Sequence, residues 1–156
     1  MKNIKLLFAI IFSVSTFITY GQNCSDYHVD NCRWADESFL YCRQSKSALF
    51  KAEMESEFSI TVYGGEEYYV SIKGDHKLGK IRVRIKEDDA EKAVLYNNAH
   101  YNYEDHFYFK NENTRNLIIE VTSEAISKFN KSTERYCVGV LIQFRNYKDD
   151  PTNTGF

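Results

Sequence analysis

Lys80-Ile81-Arg82-Val83-Arg84-Ile85-Lys86 alternates cationic and β-branched side chains without a break. Successive side chains of a strand point to opposite faces, so this spacing puts Ile81, Val83 and Ile85 on one face and four cations on the other. The same period of two recurs on either side, in Phe58-Ile60-Val62, Tyr68-Val70-Ile72, Leu117-Ile119-Val121 and Val138-Val140-Ile142-Phe144. Weaker runs at residues 48–51, 93–96 and 106–109 bring the total to about eight strands. Gly64-Gly65, Gly74-Asp75, Gly79, Asn97-Asn98 and Asn111-Glu112-Asn113 punctuate the runs, and Gly64-Gly65 predicts a hairpin between the strands it joins. Pro151 lies outside every strand, where its missing N–H costs no ladder bond. Short strands with one apolar face must bury that face against a second sheet. The pattern therefore predicts an all-β protein, an antiparallel β-sandwich of jelly-roll type spanning residues 46–145.

Upstream, the chain opens with Lys2 and Lys5, an apolar run from Leu6 to Ile18, and Thr19-Tyr20-Gly21 before Gln22. A basic head, a short apolar stretch and small residues at the −3 and −1 positions form a cleavable export signal over residues 1–21. A run of ~13 apolar residues is too short to span a bilayer, which takes ~20 in a helix. Removing Lys2 and Lys5 from 20 basic against 22 acidic residues leaves 18 against 22, a net charge of −4. That balance gives no general attraction to nucleic acid, and the mature segment has no apolar run long enough for a transmembrane helix. Residues 22–45 lack a clean period and read as a stapled N-terminal cap. Residues 146–156 read as a flexible tail. The expected location is periplasmic or secreted.

Cys24, Cys32, Cys42 and Cys137 all lie in the mature part. An even count in an exported chain reads as two disulfides, with three pairings open. The residues before Cys24 lack a lipoprotein triplet, and the cysteine spacing misses the paired knuckles of a zinc site.

Ser45-Lys46-Ser47-Ala48-Leu49-Phe50, Tyr63-Gly64-Gly65-Glu66-Glu67-Tyr68, Lys77-Leu78-Gly79, residues 114–121 and Cys137-Val138-Gly139-Val140-Leu141-Ile142 together resemble a family of small, exported, uncharacterised bacterial proteins. The likeness covers nearly the whole mature chain. Its fold is similar to the pre-peptidase C-terminal β-sandwich, an accessory domain beside secreted proteases, and it implies no activity. Members often carry a cysteine near the end of the third strand, where this chain has Ile72-Lys73-Gly74. The resemblance therefore implies Cys42–Cys137 as one bridge, leaving Cys24–Cys32 as a short local one. Accessory sandwiches of this type sometimes bind calcium, which directs attention to Asp75 and Asp88-Asp89, although no D-x-D-x-D-G loop is present.

The tract from Tyr96 to Phe109 is the best candidate ligand surface, with Tyr101, Tyr103, Asp105 and Tyr108 as its contact residues. Rings stack on apolar faces of a sugar or peptide while carboxylates and amides take its hydrogen bonds. The competing reading is a hairpin with Phe107 and Phe109 turned inward. His100 and His106 beside Asp105 have ligand chemistry but no recognised metal spacing, so no metal or cofactor is expected. The row Lys80, Arg82, Arg84 and Lys86 reads as a solvated sheet face offset by Glu87, Asp88 and Asp89. There is no G-x-S-x-G, no H-E-x-x-H and no phosphate loop. The expected function is a non-catalytic binding or interaction module whose partner is a protein or polysaccharide of the envelope or exterior. A structural component of a cell-envelope assembly is the alternative.

Overall fold

The computed structural model describes residues 23–124 and 134–147. The segment read as an export signal and the chain beyond Tyr147 lie outside the described residues. A short helix, α1 (Tyr27–Asn31), precedes the strands β1 (Leu40–Tyr41), β2 (Lys46–Phe50), β3 (Glu55–Val62), β4 (Glu66–Gly74), β5 (Lys80–Glu87), β6 (Val94–Asn97), β7 (His106–Asn111), β8 (Arg115–Glu124) and β9 (Tyr136–Asn146). Two antiparallel sheets result. One has the order β1-β9-β4-β7, with β2 also paired to β9, and the other has the order β3-β8-β5-β6.

The period-two residues meet between the sheets as expected. Val62, Val70, Val83, Ile119 and Ile142 are fully buried there, with Tyr68, Leu117 and Val121 around them. Burying one such side chain is worth roughly 1.5–3 kcal/mol, so the alternating faces supply the main cohesion of the two layers.

Strand pairing departs from chain order in a way the pattern did not reveal. Gly64-Gly65 does not close a hairpin: β3 pairs with β8 and β4 with β7 and β9, so the turn carries the chain from one sheet to the other. Its glycine has a different reason. A Cβ on Gly64 would sit 2.6 Å from the carbonyl oxygen of Glu112, and the Gly64 N–H donates to Thr114 Oγ1 at 3.1 Å. The turn is packed flush against the β7–β8 loop.

The cap lies across the outer face of the five-stranded sheet. Gly139 of β9 provides the seat, since a Cβ there would come within 2.7 Å of His28 Cα in α1. Gln143 of β9, itself buried, accepts from Ala35 N at 2.8 Å and donates to the Phe39 carbonyl at 3.3 Å. Arg33 N donates to Ser71 Oγ of β4 at 3.0 Å. β9 is thereby buried on both faces, and the cap contributes β1 to its edge.

The disulfide framework differs from the expected one. Cys24 bonds Cys137, with Cα atoms 5.5 Å apart and a sequence separation of 113. Cys32 and Cys42 are free and buried. Cys137 alternates with the core-facing Val138 and Val140 and so faces away from the core, and the cap that crosses this face brings Cys24 to it. Cys42, near the end of the cap, turns inward among the core residues instead.

The cationic face of β5 is also not simply solvated. Glu120, opposite Arg84 on β8, is 2% exposed and paired with both Arg84 and Lys86. Arg82 pairs with Glu124 at 3.3 Å, and Glu55 of β3 lies 3.8 Å from Arg84. The compensating carboxylates come mainly from neighbouring strands, and the long cationic stems cover Glu120. Of the acidic residues following the cationic row in sequence, Glu87 pairs with Arg115 and Asp88 accepts from Ser59.

Candidate functional site

The segment between β6 and β7 crosses from one sheet to the other at one end of the sandwich. It begins with a 3-10 turn, Asn98–Tyr101, and then places Asn102 and Tyr103 successively at φ 54° and 59°. That left-handed region is uncommon for residues other than glycine and is strained for a bulky aromatic one. Such a conformation persists only where its surroundings over-determine it.

Asn98 is the principal restraint. It is 1% exposed, and its side chain continues the ladder of β5 beyond the end of β6. Oδ1 accepts from Val83 N at 2.8 Å, while Nδ2 donates to the Ile81 carbonyl at 3.0 Å and to the Glu104 carbonyl at 3.2 Å. Its own carbonyl accepts from Tyr103 N at 2.9 Å. The Tyr103 hydroxyl donates to Glu124, and Lys80 Nζ lies 4.5 Å from the Tyr103 ring centre. Asp105 closes the segment, its carbonyl accepting from Ile72 N at 2.7 Å.

The four residues of the predicted ligand surface thus have different placements. Tyr101 is 56% exposed and stacks on Tyr96, which in turn stacks on Phe107 at 4.0 Å between centroids. Tyr103 is engaged in holding the turn. Asp105 Oδ1 is 2.8 Å from His106 Nδ1. Tyr108 is 51% exposed on the outer face of the five-stranded sheet, against Tyr69, Phe39 and the edge of His106. Asp105 and Tyr108 are linked through His106, whereas Tyr101 projects from the β6 side.

Two clefts flank the segment. One of about 300 Å³ is lined by Lys73, Gly79, Lys80, Asn102, Tyr103 and Asp105. The other, about 230 Å³, runs between the β6 and β7 edges over Leu95, Tyr96, Phe107 and Phe109, with Lys110 and Arg115 at its rim. Among the described residues no three His, Cys, Asp or Glu side chains converge on one point. No helix of the described chain is long and apolar enough to cross a membrane.

A polar group that sequence reading passed over lies under the cap. His28 is buried, its backbone N–H donates to Ser47 Oγ at 2.9 Å, and its Nδ1 is 2.7 Å from the same oxygen. Its Nε2 is 3.0 Å from the Tyr41 hydroxyl. The bonds close consistently when Ser47 donates to Nδ1 and Nε2–H donates to Tyr41. The Ser47 oxygen is then occupied on both sides, and the group fastens α1 to β2 and β1. Nothing in local sequence marks it, because its three residues span 28–47.

No family model and no curated protein sequence matches the chain. Among solved structures it is similar to the crystal structure of Aeromonas hydrophila PliG, a periplasmic lysozyme inhibitor of g-type lysozyme. The likeness has a TM-score of 0.50 at 9% identity and covers 72% of this chain and 92% of that one. At such identity the two share a fold.

Proposed function

We propose that this chain is an exported, non-catalytic binding module that engages a protein partner through the strained segment 98–105 and the aromatic residues beside it. The observation that carries it is the pair of left-handed residues, Asn102 and Tyr103, held by the buried Asn98 amide next to an exposed Tyr101. A surface fixed before contact loses little conformational entropy on binding, and an aromatic anchor supplies large contact area. The similar fold of a periplasmic inhibitor supports the same class of role and makes g-type lysozyme the first partner to try.

Immobilised protein is exposed to g-type lysozyme and, in parallel, to envelope extract. A partner retained by the wild type and lost with Tyr101→Ala supports the assignment. Equal retention by both proteins overturns this surface, since Tyr101 is half-exposed and its truncation spares the core.

A further inference from the structure

The open edge of β7 has a feature that the loop reading does not use. β7 pairs with β4 on one side only, in an unbroken register from Glu66↔Asn111 to Ser71↔His106. The Ile72 N–H bond to the Asp105 carbonyl sets the phase of this ladder. In an antiparallel pair the backbone groups of alternate residues point to the partner, so Phe107 and Phe109 bond toward β4. The N–H and C=O groups of His106, Tyr108 and Lys110 therefore face outward, and no hydrogen bond among the described residues uses them.

The other sheet edges are shorter, interrupted or capped in part. On β3 the Gln44 side chain caps Thr61, donating to its carbonyl at 2.9 Å and accepting from its N–H at 2.8 Å. β6 has four residues, and its pairing with β5 is interrupted by a register shift. The edge opposite β7 is broken into the short pieces β1 and β2. An unprotected edge of six residues without proline or bulge is a template for another strand.

We infer that β7 accepts an extended segment of the protein partner as an additional antiparallel strand, with alternate apolar side chains lying over Leu95, Tyr96 and Phe107 and an acidic residue facing Lys110. The groove supplies the apolar floor on the inner side of the edge. Lys110 supplies the charge. It makes no ion pair among the described residues: its Nζ lies 5.4 Å from the Tyr147 ring centre, and Glu67, across from it on β4, is bound by Arg145 at 2.7 Å. The segment type follows from strand chemistry: main-chain bonds hold any extended chain, and the groove and Lys110 select among them. This inference rests on the binding-module reading and names the form of its partner.

The probe is a labelled peptide with the sequence of residues 66–73, Glu-Glu-Tyr-Tyr-Val-Ser-Ile-Lys, which β7 already accepts on its inner side. Fluorescence anisotropy should show saturable binding to the full protein. N-methylation of the second, fourth and sixth peptide residues, whose N–H groups face β7 in the same register, should abolish it. Methylation of the third and fifth should not. Tyr108→Pro should weaken binding about ten-fold, because proline removes an N–H that bonds nothing in the free protein, while Tyr108→Phe should change it little. Absence of binding, or equal loss from both methylated sets, overturns the inference. A wild-type dimer that dissociates in Tyr108→Pro also overturns it, by placing a second copy on the edge. Partner retention that still depends on Tyr101 when the peptide fails removes strand addition alone and leaves the loop reading standing.

Discussion

The sulfur of Cys32 lies 3.4 Å from the Gly139 carbonyl, on the cap side of the five-stranded sheet, while Cys42 is packed among the core residues on its other side. A sheet separates the two thiols, so they cannot join without unfolding the cap or the edge. Burial pushes the Cys32 thiol up to about 11, which leaves almost no thiolate at neutral pH. Non-reducing peptide mapping should return a Cys24–Cys137 linked peptide and two unlinked thiols. Both thiols should resist alkylation in native buffer and react in denaturant. The bond closes a loop of 113 residues, so its loss should cost up to about 5 kcal/mol on chain-entropy grounds, read from chemical denaturation of Cys137→Ser.

Glu120 is the anion on which the cationic face of β5 depends. Burial by itself would raise its pKa, but hydrogen bonds from Lys86 and Arg84 outweigh that and hold it below the ordinary carboxylate value. Glu120→Gln should destabilise by about 1–3 kcal/mol, because it strips Lys86 of its counter-charge and leaves Arg84 only the more distant Glu55. Arg84→Gln should cost less, since Lys86 remains on the carboxylate. Urea denaturation of the two variants checks the order. The depressed pKa also has a direction: the contribution of Glu120 is complete above the unfolded value near 4.5 and declines as pH falls through the folded one.

Asn98→Ala removes three side-chain hydrogen bonds from a buried position and leaves Val83 N and the Ile81 carbonyl unpaired. A loss of about 2–3 kcal/mol is expected. Amide hydrogen exchange should show faster exchange at residues 98–105 than in β9, which the substitution does not touch. Uniform acceleration across both would mean that Asn98 supports the whole sandwich and does not act as a local pin.

His28 makes cap stability depend on pH. Its burial lowers its pKa from the ordinary 6.5, opposed in part by Asp26 and Asp30. The unfolded chain then binds the proton more readily than the folded one. The contribution of His28 is complete above 6.5 and is lost progressively as pH falls below it. Thermal melts from neutral pH to pH 5 should show a decline in Tm that His28→Gln makes shallower. Unchanged slopes would remove His28 from the cap's pH response.

Alternation is a local property of the chain, and it located the strands, including the weak β2, β6 and β7, as well as the inner face of each sheet. It says which side of a strand is apolar and is silent on which strand lies beside it. Gly64-Gly65 shows the limit, because its two flanking runs alternate as a hairpin would but have different partners in different sheets. Cysteine pairing failed for a related reason. The alternation of β9 puts Cys137 on the outer face, but only the path of the cap over Gly139 decided that Cys24 would meet it. Glu120 has no distinguishing local signal, and its role follows only from β8 lying beside β5. In the candidate site, composition marked the aromatic tract from Tyr96 to Phe109. The strained turn, the separation of Tyr101 from Tyr108 and the unpaired edge of β7 were decided by packing between residues far apart in sequence. The sequence by itself determined strand, face and chemical type, because these depend on neighbours one or two residues away. Partner, register and exposure of an edge depend on contacts that exist only once the two sheets have closed.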